Sequence, residues 1–71
     1  MELNQFFKDL ERDTRHAKTK RTLKILSKRA KKHVREVEDS PYASSAMKNE
    51  ANRKLRASLR AIKLKNKEIQ I

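Results

Sequence analysis

The sequence predicts an all-α protein: an antiparallel αα-hairpin of two long basic amphipathic helices, with a short N-terminal helix folded against it or docked on a partner. Three observations support this expectation. Glycine is absent and proline occurs once, at Pro41, so little interrupts a helix elsewhere. Apolar residues recur at three- and four-residue steps over most of the chain, the period of a helix with one buried stripe. Lysines and arginines occupy the positions opposite those stripes.

The first element is expected over about residues 3–12, where Leu3, Phe6, Phe7 and Leu10 form a helical cluster. Continued in phase, that cluster would fall on the cationic face of the following helix. The chain is therefore expected to bend between about positions 12 and 22, with Asp13 and Thr22 as candidate N-caps for the restart. Turned back at this hinge, the first helix would cover the open end of the hairpin.

The second element is expected over about 14–38. Leu23, Leu26, Ala30, Val34 and Val37 share one stripe, while Lys20, Arg21, Lys24, Lys28, Lys31, Lys32 and Arg35 take the far side. Ile25 alone projects among the cations. Asp39-Ser40-Pro41 punctuates the chain, and Ser40 as N-cap with Pro41 in the first helical position would start a third element over about 41–68. Met47, Ala51, Leu55, Leu59, Ile62 and Ile69 form its stripe, with Arg53, Arg56, Arg60 and Lys63 stepping along the opposite face and Leu64 projecting among them. A connection near 39–41 would bring the two stripes together within a single small domain of 71 residues.

Charge is the strongest functional signal. The formal net charge is +11, and residues 18–35 hold nine Lys or Arg and no acid. Solvated helix faces normally intersperse acids, which relieve repulsion and add pairs one turn apart. Here the acids lie in the N-terminal segment, around the connection and at the C-terminal end, with Glu50 the one exception inside the third element. A phosphate backbone is the partner that matches a line of such cations, and counterion release on binding offsets their mutual repulsion. The expected ligands of phosphate are Lys20, Arg21, Lys24, Lys28, Lys31, Lys32, Arg35, Arg53, Arg56, Arg60 and Lys63. RNA is placed before DNA. Neither long helix opens with an Asn/Gln/Arg triplet suited to reading bases in a major groove, and only Tyr42 could serve as a stacking platform. In composition the chain resembles small ribosomal proteins, although no motif ties it to one family. A ribonucleoprotein component contacting backbones and shape is the first functional expectation.

The second is a small regulatory or inhibitory protein, of the kind viruses encode, seated on an acidic surface of a polymerase or other nucleic-acid enzyme. Phe6, Phe7, Ile25 and Leu64 would be its contact residues, with Phe6 and Phe7 as anchor in the helix-in-groove mode; the favoured alternative is that Phe6, Phe7 and Leu10 supply the extra core that a two-helix hairpin lacks. A second copy of the chain is a further candidate partner, because stripes rich in Ala, Ser and Val make a light core.

Several classes are not expected. Cysteine is absent, and His16 and His33 stand seventeen positions apart without a carboxylate set, so neither a metal nor another cofactor is indicated. No carboxylate pair converges, no serine has a histidine at motif spacing, and no glycine is present for a phosphate loop, so the chain does not read as an enzyme. No apolar run approaches the length of a membrane span. The default expectation is an intracellular, cytoplasmic protein. KRAKK at 28–32 would pass as a nuclear-import string, and nucleoid or ribosome association fits the same charge.

Overall fold

The computed structural model describes residues 3–69, in three helices with no strand among them: α1 (Leu3–His16), α2 (Lys20–Asp39) and α3 (Ser45–Glu68). The helices pack on one another around a single apolar cluster. α1 supplies Leu3, Phe6, Phe7 and Leu10; α2 supplies Leu23, Leu26, Ala30 and Val34; α3 supplies Ala51 and Ile62; and Ala17, between α1 and α2, is also buried. Val37, Leu55, Leu59 and Ile69 are partly covered at its margin. The resulting rod measures 42 × 17 × 16 Å.

The first break falls at Ala17–Thr19, inside the expected hinge but not at either expected cap. Asp13 lies within α1, its carboxylate 3.5 Å from Arg12 Nε. Thr22 lies in the first turn of α2 and donates its backbone N–H to Thr19 Oγ1 at 3.2 Å. Thr19 is the cap: its backbone is extended (φ −132°, ψ 154°) and its hydroxyl also meets that of Thr22 at 2.9 Å. α1 therefore runs four residues further than the expected end at 12 and α2 starts six later than 14.

The second junction also differs from expectation. Ser40 closes α2 through its N–H to the Val37 carbonyl (3.2 Å) and adopts the extended backbone imposed on a residue before proline. Its carbonyl then accepts from Ala43 N (3.4 Å), and its hydroxyl accepts from Tyr42 N (3.3 Å). Pro41 thus occupies the second position of a β-turn, where its fixed φ is equally at home. Ser44 caps α3, accepting from Met47 N at 3.2 Å. The physical reason is chain reversal. The connection between α2 and α3 therefore runs over residues 40–44, longer than the expected 39–41 and within the about two to five residues that join antiparallel helices.

α2 and α3 run in opposite directions. Glu38, near the end of α2, accepts a 2.7 Å hydrogen bond from Asn52 in the early part of α3, while Lys20 and Leu23 flank the same groove as Ile62 and Asn66. α1 does not merely cap the open end of this pair. It lies along the pair, with Phe6 stacked on His33 well toward the C-terminal end of α2 and with Asn4, Lys8 and Thr14 facing a groove shared with Lys54, Ala57 and Ala61. Met47, expected in the α3 stripe, is 42 % exposed. It sits in the first turn of α3, opposite only the loop and the last turns of α2.

Candidate nucleic-acid interface

Because the apolar stripe of α2 is drawn into the core, the opposite side of that helix must face water. Lys20, Arg21, Lys24, Lys28, Lys31, Lys32 and Arg35 are all exposed, and so are Arg53, Arg56, Arg60 and Lys63 on α3. On α2 the row from Lys20 to Arg35 extends roughly 22 Å at 1.5 Å per residue.

Acids leave these rows alone. The ion pairs among the described residues join Arg12 to Asp9 (3.8 Å) and Asp13 (3.5 Å), Lys54 to Glu50 (3.8 Å), and Lys65 to Glu68 (3.9 Å). None involves any of the eleven expected phosphate ligands. All four pairs are solvent-facing and contribute little to stability. Their distribution matters more than their strength, because it leaves the cations of both rows uncompensated.

The rows are not two isolated stripes. Lys20 and Lys24 of α2 and Lys63 of α3 border one groove, floored by Leu23, Leu59 and Ile62, with Ser27 and Asn66 also on its wall. Arg29 behaves differently and lines a recess with Asp9, Arg12 and Asp13 of α1. Periodicity within a single helix could not pair these positions across helices.

The expected protein-contact residues divide. Phe6 and Phe7 are 8 % and 7 % exposed. Their rings meet edge to face at 5.2 Å, and Phe6 stacks on the His33 imidazole at 3.9 Å. Both rings belong to the core cluster. Ile25 and Leu64 are 50 % and 57 % exposed and remain on the cationic surface. Tyr42 is exposed on the loop between α2 and α3 and borders a recess with Glu36, Val37 and Met47.

His33 is the polar residue that sequence reasoning underrated. Its Nε2 is buried without a hydrogen-bond partner, and burial pushes the imidazole pKa below the ordinary 6.5, against the opposing pull of Glu36. The ring acts as an aromatic core element. The signal for this was its place at the border of the α2 stripe, one turn before Val37. Among the described residues no group of three His, Asp or Glu side chains gathers as a metal site, and no helix is long and apolar enough to cross a membrane.

The chain matches no protein-family model, and neither curated proteins nor solved structures give a match.

Proposed function

We propose that the protein is a non-catalytic nucleic-acid-binding protein that grips phosphate backbones, RNA before DNA, as a cytoplasmic component of a ribonucleoprotein particle of the ribosomal type. One observation carries this proposal: eleven exposed cations stand in rows on α2 and α3 with no acid paired to them among the described residues. A folded domain holds such rows at the cost of self-repulsion, and a polyanion relieves it. The few aromatic residues favour backbone contact over base stacking, since Phe6 and Phe7 are buried and Tyr42 alone is exposed, on the loop between α2 and α3. Base-paired RNA, whose sugars and phosphates are accessible along its surface, suits this arrangement.

A salt titration tests the proposal. With six to ten phosphates engaged, affinity for a duplex RNA should fall by about 10³–10⁵-fold between 50 and 200 mM salt. Each single Lys or Arg to Gln change in the rows should lower the slope by about one, uniformly across sequences. Absence of binding to any polynucleotide at low salt refutes it.

Ile25 and Leu64 favour a second reading. Two exposed aliphatic side chains within cationic surroundings suit a partner with an acidic, partly apolar face, such as a surface on a polymerase. With Phe6 and Phe7 buried, that regulator would depend on Ile25 and Leu64 for its apolar contacts. Ile25→Ser with Leu64→Ser should then abolish capture of the protein partner while leaving RNA affinity within about twofold.

A further inference from the structure

Resting on the nucleic-acid reading above, we infer that the α2–α3 groove bordered by Lys20, Lys24 and Lys63 is a phosphate clamp that seats one backbone strand of a base-paired RNA. Three features of the groove point to this occupant. Its charged residues are all lysines, contributed from both helices, and no acid lines it. Lys20 and Lys24 stand one helical turn apart, so two ammonium groups line up along one wall while Lys63 reaches in from the other. Ser27 and Asn66 add neutral hydrogen-bonding groups able to meet phosphate or sugar oxygens.

The floor is aliphatic. Leu23 and Ile62 are 1 % and 7 % exposed, and Leu59 is partly buried. A floor of this kind offers no ring on which an unpaired base could stack, so the bases are best left paired to their own complement while the backbone enters the groove. Water is displaced from an apolar surface at the same place where ammonium groups meet phosphate, and the local dielectric falls, which strengthens the charge interaction. Lys28, Lys31, Lys32, Arg35 and the early α3 arginines are not among the residues lining this groove. They act through the wider field. α1, with Asp9, Glu11 and Asp13, takes no part in the groove lining.

The test compares two triple variants of equal charge. Lys20→Gln, Lys24→Gln and Lys63→Gln remove the clamp; Lys31→Gln, Lys32→Gln and Arg53→Gln remove the same charge elsewhere on the rows. All six residues are exposed, and circular dichroism checks that both variants keep their helices. Against a fluorescein-labelled 20-base-pair RNA duplex, the clamp variant should lose at least tenfold more affinity than the comparator. Acetylation footprinting of the wild-type protein should show Lys20, Lys24 and Lys63 as the lysines best shielded by the duplex. Equal losses in the two variants, with wild-type binding intact, overturn the clamp and leave the nucleic-acid function standing. Tighter binding of the corresponding single strand overturns the paired-RNA assignment. Displacement of the duplex by polyglutamate at matched charge overturns it too, and assigns the groove to an acidic protein surface. Failure of the wild-type protein to bind the duplex at all refutes the function itself.

Discussion

His33 shows how one side chain can be polar in composition and apolar in use. It stacks on Phe6 with its ring planes 18° apart, while Phe7 approaches from the side at 6.4 Å between centroids. Burial of the unpartnered Nε2 disfavours the protonated ring at this site. Because burial lowers its folded pKa below 6.5, the unfolded chain binds more protons than the folded one under mild acid. The stabilising contribution is therefore complete above about pH 6.5 and is lost as pH falls through the folded value. Urea midpoints should drop between pH 7.5 and pH 5, and His33→Phe, which keeps the stack, should flatten that drop. Phe6 is the partner to test for packing. Phe6→Ala should cost about 3–5 kcal/mol, enough to unfold much of so small a domain, as seen by far-UV circular dichroism.

At the scale of the element, the two serines flanking the loop hold unequal roles, and the N-cap expected at Ser40 belongs to Ser44. Ser44 Oγ receives a first-turn N–H of α3, whereas Ser40 Oγ receives only the Tyr42 N–H of the turn. Ser44→Ala should lower stability by about 1 kcal/mol, in the usual range for a lost N-cap. Ser40→Ala should change it by less than about 0.5 kcal/mol. Chemical denaturation of the two variants side by side checks the difference. The cross-helix contact from Asn52 Nδ2 to Glu38 (2.7 Å), shared with the Lys48 carbonyl (2.9 Å), ties the end of α2 to the start of α3. It is an exposed contact, and it bridges the two helices at the end where they are joined.

For the whole molecule, folding and binding should answer salt in opposite senses. Uncompensated rows on α2 and α3 repel one another in the folded rod, and added salt shortens the Debye length from about 10 Å at 0.1 M to about 3 Å at 1 M. The Tm of the free protein should rise over that range while its affinity for duplex RNA falls. A Tm that declines with salt would mean that the four surface ion pairs outweigh the repulsion. The partly exposed Leu55 and Leu59 at the core margin reinforce the point that this core is light and that modest electrostatic terms decide its stability.

What the sequence by itself determined is the helical character of the chain and the side of each helix that carries charge. Both depend on local terms: the absence of glycine, the 3.6-residue period and the segregation of cations from aliphatics. The tertiary structure alone decided which serine caps and which turns, because chain reversal between packed helices selects among local options of similar energy. It also decided that Phe6 and Phe7 are interior, since the phase break at Ala17–Thr19 frees α1 to lie along the other two helices. The meeting of Lys20 and Lys24 with Lys63 across a shared groove is of the same kind. Periodicity within a helix says nothing about register between helices. That register is set by which apolar side chains fill the space between them.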